Sequence, residues 1–150
     1  MFSDEKKIIQ GQWLEEIYPR TDSITSGNGF FCLFDLAKDD ASLKNKIWIP
    51  ASDYYSLDNN TSEGLSTISK IEGFDDSIVQ CGECFAAGED GFIALTRKHT
   101  EELVWLVVLS KTNPFENLKV EGAEIHAYSS SGVTVQIPME RPDKLIIHWR

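Results

Sequence analysis

Cysteine is scarce in this chain of 150 residues, which contains only Cys32, Cys81 and Cys84. Three thiols do not make the disulfide framework that stabilises small secreted domains. A chain of this length buries roughly 68–70% of the surface that its unfolded form exposes, so its core needs no covalent or metal staple. We therefore expect one globular domain over residues 1–150.

Long apolar runs are also missing. The longest extends from Leu103 to Leu109, far short of the ~20 residues that a membrane helix requires. The first residues mix acids with bases and lack the apolar stretch of a secretory signal. These features predict a cytoplasmic protein that does not bind membranes.

Basic residues are outnumbered. The chain has 14 lysines and arginines against 24 acids, a net charge of −10. Residues 21–95 alone hold thirteen acids and four bases. Such a domain repels nucleic-acid phosphates, so direct nucleic-acid binding is disfavoured, whereas a strongly cationic protein partner is favoured. A surface that merely keeps the chain soluble is the alternative explanation of the same charge.

The common catalytic signatures are absent as well. The sequence contains no nucleophile elbow, zinc-protease motif, phosphate loop or dinucleotide-binding glycine pattern. His99 stands close to Glu101 and Glu102, which could serve as acid and base, but this cluster falls at a predicted turn, where polar residues are expected anyway. We predict no catalytic residues and no enzymatic activity.

Hydrophobic spacing indicates an α+β fold in which antiparallel sheet dominates. Ile9, Trp13 and Ile17 predict an amphipathic N-terminal helix that ends before Pro19. Alternating or β-rich runs then predict strands over 30–36, 46–50, 78–86 and 92–97. The step Asp90-Gly91 favours a tight hairpin between the last two. Apolar residues three apart allow a second short helix within 61–71.

The last third of the sequence has the clearest strand pattern. Turn residues separate five apolar runs, which predict an up-and-down antiparallel meander. The five runs are 103–109, 117–121, 124–128, 133–138 and 145–149.

Two ligand-binding alternatives remain open. Cys81 and Cys84 form a C-x-x-C pair that suits a zinc knuckle or a dithiol switch, yet no second paired motif accompanies it, so packed reduced thiols and no cofactor or metal are predicted. Trp48, Tyr54, Tyr55 and Trp105 could line a ligand pocket, although aromatic residues in strands are more often core.

Acidic residues in the middle of the chain are the leading candidates for partner binding. They would face a basic protein and steer its association, with Tyr54, Tyr55 and Phe74 as apolar anchors. The acidic candidates are Asp39, Asp40, Asp53, Asp58, Glu63, Asp75, Asp76, Glu89 and Asp90.

The chain resembles bacterial immunity proteins, the partners of polymorphic and contact-dependent inhibition toxins. The resemblance rests on small size, acidity, a short N-terminal helix and the texture of the C-terminal segments 104–108, 110–115, 129–132, 137–138 and 144–147. It implies a protein that binds a cognate toxin domain, often a basic nuclease, and blocks its active site or an adjacent exosite. We expect a monomer or weak homodimer; the alternative is a small enzyme or ligand-binding domain.

Overall fold

A computed structural model describes residues 2–37, 39–55, 61–73, 75–85 and 90–149, except for the side chains of residues 2, 3 and 55. Thirteen strands and two short helices, with one 3-10 turn, make up these ranges, and the sheets are antiparallel throughout. The predicted α+β class is confirmed. Neither helix in the described ranges is long and apolar enough to cross a bilayer.

In chain order the elements are α1 (Phe2–Leu14), β1 (Ile17–Pro19), β2 (Ser23–Ser26), β3 (Phe30–Asp35), β4 (Lys44–Pro50), α2 (Ala51–Tyr55), β5 (Thr61–Glu63), β6 (Leu65–Glu72), β7 (Ser77–Cys84), β8 (Gly91–Arg97), β9 (Leu103–Leu109), β10 (Phe115–Glu121), β11 (Glu124–Ser129), β12 (Thr134–Pro138), the 3-10 helix Pro142–Lys144 and β13 (Ile146–His148).

A seven-stranded sheet is the centre of the fold, with the strand order β4-β3-β2-β9-β8-β7-β6. The apolar run that predicted a buried strand is β9, which occupies the middle position. Residues that point to either face of β9 are buried, for example Leu106 and Val107. Its composition therefore follows from its place, because a strand covered on both sides has no solvent-facing positions.

The second sheet is a meander of four strands, β10-β11-β12-β13, and packs face to face on one side of the first. The five-stranded meander predicted from the sequence is therefore wrong by one strand. Leu103–Leu109 belongs to the central sheet, and the chain crosses to the second sheet before Phe115. Inward-facing residues of both sheets, including Val107, Ile125 and Val135, share one apolar cluster.

The other face of the central sheet is covered by α1, α2 and the β1-β5 pair. Ile9 and Tyr18 are buried there against Phe31 and Val108. The predicted N-terminal helix is present, but it ends at Leu14 rather than just before Pro19. Glu16 adopts a left-handed φ of 56°, which turns the chain, so that Ile17–Pro19 forms a strand.

The segment 61–71 forms strands β5 and β6, so the second predicted helix at that position is wrong. The prediction relied on the spacing of three among Leu65, Ile68 and Ile71, but β6 accommodates that spacing with a bulge between Thr67 and Ser69. The bulge turns Leu65 and Ile71 to opposite faces of the sheet and leaves Ile68 exposed. Because of the one extra residue in the bulge, the apolar spacing of this strand resembles the period of a helix.

The predicted β7–β8 hairpin is confirmed as an antiparallel pair. Gly91 is already the first residue of β8 and has no positive φ, so the expected turn chemistry does not explain it. A Cβ at this position would lie 2.7 Å from Phe115 Cδ2 and 2.8 Å from Thr112 Oγ1. Gly91 therefore allows the chain leaving the central sheet to pack closely against it.

Candidate binding cleft

An open cleft of about 660 Å³ lies between the two sheets at one end of the sandwich. Ile24, Phe30 and Trp48 line it from strands β2, β3 and β4. The opposite side consists of the β10–β11 turn and the segment 139–143 that follows β12. The cleft is thus built by strand ends that are far apart in sequence. We refer to it below as the inter-sheet cleft.

Trp105 fixes one wall of the inter-sheet cleft. Its indole Nε1 donates a hydrogen bond of 2.9 Å to the carbonyl oxygen of Met139. The backbone nitrogen of Met139 donates in turn to the carbonyl of Ala123, also at 2.9 Å. The buried indole therefore holds the two turns of the second sheet against the end of the central sheet.

Asp143 ties the two sheets together beside the cleft. Its carboxylate accepts hydrogen bonds from Arg141 Nε at 3.0 Å and Arg141 Nη2 at 2.9 Å, and Lys46 Nζ of β4 lies 3.6 Å away. The hydrogen bond from Arg141 lowers the pKa of the Asp143 carboxyl, against the opposing effect of its burial. A nearly buried carboxylate is tolerated here because two cations compensate it.

Three charged side chains on the rim of the cleft have no ion-pair or hydrogen-bond partner within the described part of the chain. Asp75, Arg97 and Glu140 are exposed, and none makes an ion pair or a side-chain hydrogen bond with any residue in the described ranges. Next to them, Asp76 accepts hydrogen bonds from the backbone and ring of His99, which joins the β6–β7 and β8–β9 turns. These bonds lower the pKa of Asp76, and Arg97 nearby adds to the effect.

Trp48 is the most accessible aromatic residue of the cleft, with 47% of its surface exposed. It lies on β4, the edge strand of the central sheet, and faces the same side as its cross-strand neighbour Cys32. At this edge the second sheet does not cover the ring. An exposed indole beside an open cleft is a typical anchor for a binding partner.

The acidic candidates that lie within the described residues do not gather at one place. Asp75 and Asp76 lie at the cleft end of the central sheet. Asp39 and Asp40 follow the far end of β3, and Asp90 precedes β8 at that same far end. The remaining described candidates, Asp53 in α2 and Glu63 in β5, belong to the layer on the other face, whereas Asp58, Phe74 and Glu89 lie outside the described residues.

The aromatic pocket expected from the sequence is only partly assembled. Trp48 and Trp105 line the same cleft. Tyr54 instead lies on the opposite face of the central sheet, where it is 5% exposed and its ring centroid is 4.9 Å from that of Phe31. It is a core residue and offers no surface as an anchor. The backbone of Tyr55 continues α2, and its side chain lies outside the described atoms.

The two C-x-x-C thiols point away from each other. On β7, residues three apart fall on opposite faces, so Cys81 joins the inter-sheet cluster while Cys84 packs under the helices. Burial raises the pKa of each thiol to about 12. The two sulfur atoms are thus not placed to bind one ion or to form a disulfide with each other. Within the described chain, no three His, Cys, Asp or Glu side chains are grouped to hold a metal ion.

Gly82, the glycine inside the C-x-x-C motif, is required by the packing of β7 against β6. A Cβ on Gly82 would lie 1.8 Å from the carbonyl oxygen of Ser66, because the β6 bulge presses against β7 at this point. The glycine therefore serves strand packing.

The cleft residues that sequence reasoning missed are Arg97, Met139, Glu140 and the Arg141–Asp143 pair. Residues 141–143 fall between the predicted strands 133–138 and 145–149, where the sequence indicates only a turn. The Arg-x-Asp spacing around Pro142 was a usable signal for a local ion pair, but its link to Lys46 depends on the fold.

In comparisons with known proteins, no family model, no curated protein sequence and no solved structure matches this chain.

Proposed function

We propose that this chain is a cytoplasmic, non-enzymatic binding protein of the immunity type, which neutralises a cognate basic toxin domain by covering its active site or an adjacent exosite. The observation that carries the proposal is the half-exposed Trp48 beside an open cleft whose rim holds Asp75 and Glu140, two exposed acids without an ion pair in the described residues. The resemblance of the sequence to immunity proteins points the same way.

The chemistry of the rim suits a lysine- or arginine-rich surface. An exposed indole attracts a cation over its ring face, and neighbouring carboxylates strengthen that attraction. Arg97 opposes it, but the nearby carboxylate of Asp76 offsets part of its charge. Rim carboxylates and the net charge of −10 would speed the encounter with a basic partner.

In this mechanism the chain inhibits by occupation. Trp48 supplies the desolvated contact that holds the complex together, whereas Asp75 and Glu140 engage lysines or arginines that otherwise bind the phosphates of the toxin's substrate. The bonds of Asp143 to Arg141 and Lys46 keep the segment 139–143, on the opposite side of the cleft, in place. Affinity then depends on a small number of anchors, as in most protein interfaces.

The test uses the toxin domain encoded by the gene next to that of this chain. Co-expression of the chain should protect cells that express the toxin domain. The purified chain should bind the purified domain in a salt-dependent manner. Asp75→Lys and Glu140→Lys should each lower the association rate by about tenfold or more. The matched control is Glu116→Lys, an exposed charge reversal at the start of β10, away from the cleft.

Asp90→Lys provides the decisive contrast, because Asp90 belongs to the acidic candidates but lies at the far end of the sheet. Equal loss of association in Asp90→Lys and Asp75→Lys would move the interface away from the cleft. Unchanged binding in both rim variants would refute the proposal.

A second candidate function is the binding or conversion of a small molecule in the inter-sheet cleft. It is favoured by the cleft volume of about 660 Å³, which lies within the usual range for ligand pockets, and by the two indoles that line it. A ligand there should quench tryptophan fluorescence in the wild-type protein and less so in Trp48→Phe. A small molecule that binds in this way but leaves toxin binding unchanged would support a separate ligand site.

A further inference from the structure

The edge strand β4 leaves an unusual amount of apolar surface uncovered. It is the terminal strand of the central sheet and pairs only with β3 among the described strands. Ile47 is 60% exposed, and Trp48, on the other face, is 47% exposed. An exposed apolar edge is a template for pairing with another strand.

The ladder with β3 determines which backbone groups of β4 are available. The Ala51 nitrogen donates to the Gly29 carbonyl at 2.9 Å, in register with the β3–β4 pairs. Because hydrogen-bonded and non-hydrogen-bonded pairs alternate in an antiparallel ladder, Ile49 and Ile47 also bond to β3. The N–H and C=O of Trp48 therefore point away from the sheet. Pro50 occupies another outward position, where its missing N–H breaks no bond.

We infer that β4 pairs with β4 of a second copy of this chain, antiparallel and with Trp48 on the two-fold axis. Trp48 is the only outward position suited to that axis. An axis at Lys46 would oppose two like charges next to the bulge at Asn45, which has a φ of 53°. An axis at Pro50 would offer no donor and would meet α2.

The register centred on Trp48 is self-complementary in both polarity and charge. It places Ile47 of each copy opposite Ile49 of the other, a β-branched pair of the kind that stabilises sheets. Lys46 comes opposite Pro50 rather than another lysine. Lys44 approaches the start of α2 in the other copy, where the Glu5 carboxylate accepts hydrogen bonds from Ser52, so opposite charges meet. These features favour a second copy over an unrelated strand.

The same strand keeps the association weak and reversible. Natural sheets limit edge pairing with charged residues, bulges and prolines. Strand β4 contains all three, in Lys44, the bulge at Asn45 and Pro50. Few backbone hydrogen bonds therefore form across the axis. Two chains with a net charge of −10 also repel each other. We therefore expect dimerisation to strengthen with ionic strength, because salt screens that repulsion more than it affects strand pairing.

Sedimentation equilibrium over a wide concentration range, at low salt and at about 0.5 M NaCl, tests the inference. The wild type should dimerise more strongly at high salt. Ile47→Lys should lower the association constant by about tenfold or more. Ile68→Lys is the matched control, since Ile68 is 47% exposed on β6, the opposite edge of the same sheet, and its replacement should change nothing.

Cross-linking locates the axis independently. On a two-fold axis in a hydrogen-bonded pair, the Cα atoms lie ~5.5 Å apart, within disulfide range. W48C should therefore form a covalent dimer on oxidation, whereas I68C should not. A monomeric wild type in both salts, a dimer lost only in Ile68→Lys, or equal cross-linking of both cysteine variants would overturn the inference. Toxin binding is measured separately, so either proposal can fail alone.

Discussion

Cys81 and Cys84 stand on opposite faces of one strand, with the central sheet between their sulfur atoms. Cys81 donates a hydrogen bond of 3.4 Å to the carbonyl of Phe115, in the core between the two sheets. The sequence spacing that brings two thiols together at a turn or helix start separates them on a strand. A motif thus takes its meaning from the element that carries it.

The first prediction concerns these thiols. Their pKa is about 12 in the folded protein, against about 8.5 for an unfolded cysteine, so the unfolded chain loses protons first as the pH rises. Stability should be fully present below about pH 8.5 and decline toward pH 12. Urea unfolding across this range measures the decline, and Cys84→Ala should flatten it. Rapid modification of native thiols by a thiol reagent at pH 8 would contradict the prediction.

The second prediction compares two glycine-to-alanine changes. Gly82→Ala places a methyl group 1.8 Å from a backbone oxygen in β6, so it should cost about 3 kcal/mol or more of unfolding free energy. Gly11→Ala lies in exposed α1 with no atom within 4 Å of the new methyl group, and should stabilise the protein by about 0.5–1 kcal/mol. Chemical denaturation of both variants provides the comparison. Equal effects would argue against the close β6–β7 contact.

The third prediction concerns the carboxylate that joins the sheets. Asp143→Asn keeps the shape but weakens the bonds to Arg141 and Lys46, and should cost about 1–2 kcal/mol at neutral pH. Because the pKa of Asp143 is lowered in the folded protein, its contribution is present above the unfolded pKa of about 3.9 and is lost as the pH falls. Stability of wild type and variant should therefore converge in acid. Glu140→Gln, three residues away at a carboxylate without an ion pair in the described residues, should behave as wild type at neutral pH.

The fourth prediction ranks two indole hydrogen bonds. Trp105 Nε1 donates to Met139 and Trp149 Nε1 donates to the carbonyl of Asp40 at 2.7 Å. Trp105 is buried and Trp149 is partly exposed, so water can replace the second bond but not the first. Trp105→Phe should cost about 1–3 kcal/mol and speed hydrogen exchange around residue 139, with a smaller loss for Trp149→Phe. The reverse order would show that the cleft wall does not depend on Trp105.

Local pattern predicted individual strands well and their neighbours poorly. The predicted strands correspond to β3, β4 and β7–β13, with bounds that differ mostly by a residue or two, because alternation and apolar runs reflect burial along one strand. The apolar run at 103–109 indicates a strand that is buried on both faces, but it does not indicate the sheet to which that strand belongs. In β6 a single bulge disrupted the period of two, and the same pattern then resembled a helix.

The candidate cleft was less predictable for a related reason. Its residues Trp48, Asp75, Trp105 and Glu140 come from strand ends that meet only when both sheets have formed. Composition identified the acidic segment and the indoles as residue types of interest. It could not show that the side chain of Tyr54 is buried between α2 and the central sheet while Trp48 remains accessible, because both depend on how the other layers pack on that sheet.

The pairing of β2 with β9 has a consequence for how the chain reaches this structure. Strands β2–β4 form one local antiparallel group and β6–β9 form another, and the two meet only where Ser23–Ser26 aligns with Trp105–Val108. This seam joins residues about 80 positions apart, whereas the hairpins on either side close short loops. During synthesis on a ribosome, the edge of β2 that pairs with β9 therefore stays without its partner strand until β9 has emerged. Substitutions at Ile24 or Leu106 should accordingly slow folding, whereas changes on the outer face of β10–β13 should act mainly on unfolding.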